Sequence, residues 1–417
     1  MKVQSVAVIF LVIAFLLGPA LVFSAPKIGV NVPDWLTAYN SRFLSGGIQE
    51  AEIANTLNVE GFASGKLQSA LEIKIGNNIP LKYEALLGHS AAQRTFIKAS
   101  NLIFGWNCYP TYYGSTKLYE PENDSLYRYP YDSNKKQLES FASFVELVDK
   151  AASAYPNKRF CVYLVDISQF ALNNPGNPLV SCDKMGVLDY ADLANAQADS
   201  SNLIFLGNEI PKSDNYHNYF YTTDHHWNGN GALRAYRSIA SAIDLDDQAN
   251  TVISTSNFFN LRMNGSDSRV GLMLLNAPAQ EPLVNFEDVT IVKGDPAPFF
   301  NSSVSFARMP PPEAEFDFYH SWFGKGSVEL LNEQRDRSVL LLGDSYTYST
   351  RWLFGNSCRS VKQWADFSMG TPQKLKDEGV TLQDRINAAN PDTVLLVAAP
   401  QDYLDMEQHH KGYFETK

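Results

Sequence analysis

Val339-Leu340-Leu341-Leu342-Gly343-Asp344-Ser345 is an aliphatic run that stops at a glycine and then delivers an acid and a hydroxyl. Consecutive aliphatic residues bounded by a turn signal predict a strand buried on both faces, as in parallel sheets. The residues after such a strand stand on a tight turn at the carboxyl edge of the sheet. There a serine Oγ is exposed, and backbone N–H groups can face a developing oxyanion. Gly343 allows close backbone approach. Taken alone, the triplet favours an ordinary strand-to-helix turn with Asp344 or Ser345 as N-cap; the partner described next shifts the reading. Strands of the same type are expected at Phe160–Val165, Leu203–Leu206 and Thr393–Val397. Leu138, Phe141, Val145, Val148, Ala152 and Tyr155 recur at helical spacing just before the first of these. That alternation of helix and buried strand indicates an α/β fold.

A second stretch, Tyr221-Thr222-Thr223-Asp224-His225-His226-Trp227, precedes Asn228-Gly229-Asn230-Gly231-Ala232 and a helical pattern. A serine nucleophile needs a neutral histidine to take its proton and a carboxylate to orient that histidine. Residues two apart in an extended segment share a side. Asp224 and His226 therefore share one face, His225 and Trp227 the other. This selects Ser345 as nucleophile, His226 as base and Asp224 as orienter, with His225 and Trp227 as structural support. The plain alternative is a loop in which Asn228 caps the next helix. Asp-His-His can also ligate metal, but no second cluster such as His-x-Asp or Asp-x-Asp completes a coordination set, so neither a metal nor another cofactor is expected.

The formal net charge of −11 has no compensating Lys/Arg cluster, which argues against nucleic acid as a partner. Val6 to Phe23 is almost wholly apolar, so residues 1–25 read as a signal peptide or an N-terminal membrane anchor. Either one places residues 26–417 outside the cytoplasm. Cys108, Cys161, Cys182 and Cys358 show no CxxC spacing. Cys161 with Cys182 closes the shortest loop if a disulfide forms, and buried free thiols are the alternative.

Within residues 26–417, a weakly helical pattern from Ile48 to Leu87 is broken at Gly61, Gly65 and the 76–80 turn. Phe96 to Trp106 reads as a strand or hairpin, and Cys108 to Tyr131 as a Tyr/Pro-rich irregular stretch. The whole span of about 26–130 is an irregular N-terminal extension on this reading. Leu188–Ala198 is expected to be helical. Residues of about 250–330, including alternating Val284 to Val292, read as a β-rich insertion.

Thr223-Asp224-His225-His226-Trp227, then Gly231-Ala232, with the later Gly343-Asp344-Ser345-Tyr346, resembles the DHHW proteins of bacteria. These are similar to the alginate O-acetyltransferase family, and the Gly-Asp-Ser block resembles that of the SGNH hydrolases. The resemblance implies an SGNH hydrolase-like (flavodoxin-like) three-layer sandwich with a mostly parallel central sheet. It also implies a motif order rearranged relative to ordinary SGNH hydrolases, where the Asp/His block comes last. The implied activity is extracytoplasmic O-acetyl transfer to a polysaccharide acceptor through an acyl-serine, often beside a membrane-bound O-acyltransferase partner that supplies acetyl groups. Carried over, Ser345, His226 and Asp224 form the triad. Asn228 departs from the Thr common at that place in relatives. Gly343, Asp344, Asn208 and Tyr346, and further off Arg351, are the candidates for oxyanion and supporting roles beyond the Ser345 N–H. A carbohydrate acetylesterase, or a non-catalytic glycan-binding scaffold of an export complex, would keep the same fold.

Overall fold

The computed structural model describes residues 28–30, 53–77, 82–105, 109–110, 117–122, 124–128, 135–166, 185–207, 218–222, 225–248, 251–256, 279–285, 288–293, 303–305, 327–367, 371–404 and 411–414. Residues 1–25, with the apolar leader, lie outside them. Among the described residues no helix is long and apolar enough to cross a membrane.

A seven-stranded sheet organises the molecule. Its strands are β1 (Arg159–Leu164), β2 (Leu203–Gly207), β3 (Thr290–Lys293), β4 (Val328–Leu331), β5 (Ser338–Gly343), β6 (Ser360–Trp364) and β7 (Thr393–Ala398). The spatial order is β2-β1-β7-β5-β6-β4-β3. The first five of these run parallel; β4 pairs antiparallel with both β6 and β3. All of β5 and β7 is buried, which is why both read as unbroken aliphatic runs.

Alternate strand residues feed two cores, one on each face. Cys161, Tyr163, Val339, Leu341, Leu395 and Val397 pack with α3 (Gly229–Ala242) and α4 (Thr347–Leu353). Phe160, Val162, Leu340, Leu342, Val394 and Leu396 pack on the opposite face. The helices there are α1 (Lys135–Ser153), α2 (Val187–Gln197), α5 (Thr371–Glu378), α6 (Leu382–Ala389), α7 (Pro400–Leu404) and α8 (Lys411–Phe414). Helix α1 buries Phe141, Phe144, Val145, Val148 and Ala152, the face its periodicity predicts. Helix α2 matches the expected Leu188–Ala198 segment.

Several expectations are corrected. Of the expected strand or hairpin at Phe96–Trp106, the described residues 96–105 are neither: helix Lys82–Phe104 runs through them and stops at Gly105, whose φ of 67° is left-handed. Its Phe96-Ile97 and Leu102-Ile103-Phe104 clusters suggested β structure, but Phe96, Leu102, Ile103 and Phe104 are exposed and show no helical apolar face. Upstream helices are Ile53–Thr56, Val59–Ala63 and Lys66–Asn77. Cys108–Tyr131 holds short antiparallel strands at Tyr109–Pro110, Lys117–Glu120 and Ser125–Arg128. Val284–Val292 is two strands in different sheets. Ala279–Asn285 pairs with Thr251–Ser256 and Ser303–Ser305, while β3 joins the edge of the main sheet. Asp288, at φ 55°, turns the chain between them. Cys161 and Cys358 are free and buried; burial pushes the Cys161 thiol up to about 12 and raises that of Cys358. Cys108 and Cys182 lie outside the described residues.

One buried ion pair locks the carboxyl-terminal helices to the sheet. Asp366, just past β6, accepts two hydrogen bonds from the Arg385 guanidinium at 2.8 and 3.0 Å and one from the Tyr413 hydroxyl at 2.7 Å. Removing one partner of such a pair strands the other charge. Asp366→Ala is expected to cost on the order of 3 kcal/mol; an unshifted midpoint in urea would refute the lock.

Candidate active site

The sheet places the serine first. Strand β5 lies between β7 and β6, and its terminal Gly343 sits where a Cβ would meet the Val397 carbonyl oxygen at 2.1 Å. Only glycine fits this approach between strand ends. The chain then turns through Asp344 and Ser345 into α4. The Tyr346 N–H donates to Asp344 Oδ1 (2.9 Å), the Thr347 N–H to the Asp344 carbonyl (3.1 Å) and the Tyr348 N–H to the Ser345 carbonyl (3.1 Å). Neither Asp344 nor Ser345 is the N-cap of α4: that position falls to Tyr346, while Asp344 folds the turn before it and Ser345 stands partly exposed.

The histidine arrives from the other side of the sequence. Residues 219–221 pair with 226–228: the Tyr221 N–H donates to the His226 carbonyl (3.2 Å), the Asn228 N–H to the Tyr219 carbonyl (2.9 Å). The Asn228 side chain accepts from the Gly231 N–H (3.0 Å) and starts α3. A Cβ at Gly231 would meet the Tyr219 carbonyl oxygen at 2.2 Å. The plain reading, in which Asn228 caps the next helix, is present in the structure.

His226, buried to 1% exposure, brings Nε2 to 2.6 Å from Ser345 Oγ. Trp227 points elsewhere, its Nε1–H donating to Ser349 Oγ on α4 at 2.7 Å. The Tyr346 ring lies 4.9 Å from the His226 ring and 5.1 Å from the Trp227 ring, centroid to centroid. Its hydroxyl donates to the His225 carbonyl at 2.7 Å. These contacts fasten the histidine loop to the serine turn at three points. The loop is also tied from behind, by the Leu126 N–H donating to the Thr222 carbonyl (2.8 Å).

Asp224 and Asn208 lie outside the described residues. Tyr346 is not positioned as an oxyanion donor, because its amide serves Asp344 and its hydroxyl serves His225. Arg351 is wholly buried, donates to Gln363 Oε1 at 2.9 Å and stacks on Trp352 and Tyr348. Burial draws its pKa down to about 9. It belongs to the interior of α4 rather than to the mouth of the site.

Two contributors escaped the sequence reading. Ser349 anchors Trp227. Asp402, on α7 past the end of β7, is buried and hydrogen-bonded to Asp344. An acid two residues after a proline at a strand end signals a helix start, and nothing in that pattern announces a partner on the next strand.

Compared with protein-family models and with curated sequences, the chain finds no match. Among solved structures it is similar to PatB1 of Bacillus cereus, determined with a sulfonyl adduct. The identity is 13%, over 73% of this chain and 99% of that one, with a TM-score of 0.50. The chain shares its fold with PatB1. It is also similar to a DHHW family protein from Eubacterium siraeum, at 14% identity over 71% of this chain and 95% of that one (TM-score 0.48). The O-acetyltransferase domain of Pseudomonas putida AlgJ matches at 15% identity over 74% and 97% (TM-score 0.39). Structural neighbours thus include proteins of the kind that the Asp224–Trp227 and Gly343–Tyr346 blocks resemble.

Tyr346→Phe keeps the ring against His226 but leaves the His225 carbonyl without its hydroxyl donor. A loss of about 1 kcal/mol is expected, read from the denaturant midpoint. An unchanged midpoint would show that this clamp carries no load.

Proposed function

We propose that the chain is an extracytoplasmic serine-dependent O-acetyltransferase acting on a cell-surface or secreted polysaccharide. The observation that supports it most is the 2.6 Å contact between His226 Nε2 and a partly exposed Ser345 Oγ. A neutral imidazole so placed can accept the serine proton as the bond to an acyl carbon forms. The choice of acetyl group and polysaccharide rests on the sequence resemblance, and the mostly parallel seven-stranded sheet agrees with the scaffold it implies.

In this reading Ser345 Oγ attacks the donor's acetyl carbonyl while Nε2 of His226 takes the hydroxyl proton. The turn's own donor to the resulting oxyanion is the Ser345 N–H, since the next three amides are engaged within the turn. The tetrahedral centre collapses, the leaving group takes the proton from His226, and acetyl-Ser345 remains. A sugar hydroxyl then attacks, passing its proton to His226. Collapse releases the O-acetyl sugar and returns the proton to Ser345. Asp224, two residues before His226, is assigned to hold the imidazole by its other nitrogen. Residues 1–25, as anchor or signal, would deliver the domain to the envelope, where a membrane-bound O-acyltransferase could supply the acetyl group.

The test is covalent labelling followed by product analysis. A fluorophosphonate or sulfonyl fluoride probe should label the native chain and spare Ser345→Ala. Acetyl transfer to oligosaccharides should fall by about three orders of magnitude or more in Ser345→Ala and His226→Ala. Acetate release without transfer would make the protein an acetylesterase; a folded chain that labels nowhere would leave the scaffold reading standing. Transfer that survives in His226→Ala but dies in His225→Ala would overturn the choice of base.

A further inference from the structure

Beneath the nucleophile turn lie two carboxyl groups that the acyl-transfer scheme does not use. Asp344 is 3% exposed and Asp402 4%, and their side chains are hydrogen-bonded to one another. Two carboxylates have only acceptors, so a hydrogen bond between them requires that one carry a proton. Asp344 Oδ1 accepts from the Tyr346 N–H at 2.9 Å, and Asp402 Oδ2 accepts from the Ala399 N–H at 3.2 Å. The pair therefore ties the turn after β5 to the turn after β7.

We propose that Asp344 and Asp402 are a proton-sharing pair of positioning residues, with Asp344 the donor, that fixes the Ser345 turn and keeps its own charge from the oxyanion. This rests on the reading of Ser345 as nucleophile. The shared proton leaves a single negative charge and assigns it to Asp402. Ionised, Asp344 would set an anion immediately before Ser345 in a buried site, opposing the negative charge of the tetrahedral intermediate. It would also repel Asp402 and break the bond between the two turns.

Charges around the pair agree. Burial, reinforced by the neighbouring Asp402, holds the Asp344 pKa well above the carboxylate range; burial pushes Asp402 up to about 7. Once it has taken the serine proton, His226 is a cation beside Asp344 and works in the opposite sense. The other titratable groups at this sheet edge are Asp166 past β1 and Tyr403 on α7, both buried, and Asp366, held by Arg385.

Infrared spectroscopy of the intact protein tests the pair without reference to activity. A protonated-carboxyl stretch should persist above neutral pH and vanish in Asp344→Asn. The asparagine amide can still donate to Asp402 and accept from the Tyr346 N–H, so no titrating proton is needed. In a pH series, native kcat should fall about tenfold from neutral to strongly alkaline pH, whereas the Asp344→Asn value should change less than about twofold over the same span. Stability has the same sign. A carboxyl whose folded pKa is raised stabilises below its unfolded value, and that stability drains as pH rises through the folded pKa. The native Tm should thus decline from about pH 4 upward, less steeply in Asp344→Asn. Absence of the protonated band above neutral pH overturns the proposal, as does an alkaline fall in kcat that Asp344→Asn leaves untouched. A band present in a protein that no serine probe labels would keep the pair and sink the acyl-transfer reading.

Discussion

The hydrogen bond between His226 and Ser345 joins side chains 119 residues apart in the chain. Neither segment could hold its reactive atom in place alone. Ser345 stands at the end of a strand buried along its whole length, so its backbone is set by the sheet. His226 stands in a loop, and loops are fixed only by what they touch. Here the touching groups are unusually large for a loop: Trp227 and Tyr346 meet ring edge to face, one bonded to Ser349 and the other to the His225 carbonyl. The serine's own helix thereby supplies the surface on which His226 is mounted, which couples the two positions to a single rigid element.

That coupling explains why residues with no chemical task flank the reactive ones. Gly343 and Gly231 are small because the Val397 and Tyr219 carbonyl oxygens occupy the space a side chain would need. Asn228 ends the loop and begins α3 with one hydrogen bond. A conservative change at any of these alters the separation of Oγ and Nε2, and catalytic rates are sensitive to displacements well below a bond length.

How far the sequence could be read follows from where its information resides. β5 and β7, buried on both faces, leave an aliphatic signature that is hard to mistake, and the alternation of Asp224 to Trp227 assigns faces without coordinates. In the structure His226 reaches Ser345, while Trp227 reaches Ser349. Helix Lys82–Phe104 was misread because Phe96, Leu102, Ile103 and Phe104 face solvent, so its apolar clusters do not follow a helical period. Asp402 and Ser349 were invisible for another reason. Their roles are defined by a neighbour on a different strand or loop, and single-chain patterns carry no term for that. Tyr346 was noticed for its polarity, yet the structure uses its hydroxyl as a strut.

The position of β7 has an implication for how the protein comes into being. Among the described residues it is the last strand, and it lies between β1 and β5, so it is the only lateral link between the two halves of the described sheet. Until it is in place, β1 and β2 have no hydrogen-bonded connection to the strand that carries Ser345. Chains emerge amino terminus first, so the pairing that joins β1 to β5 must wait until β7, far along the sequence, has been made. Such late, distant closure makes for slow folding. It also means that a chain cut short of β7 lacks a continuous sheet beneath Ser345.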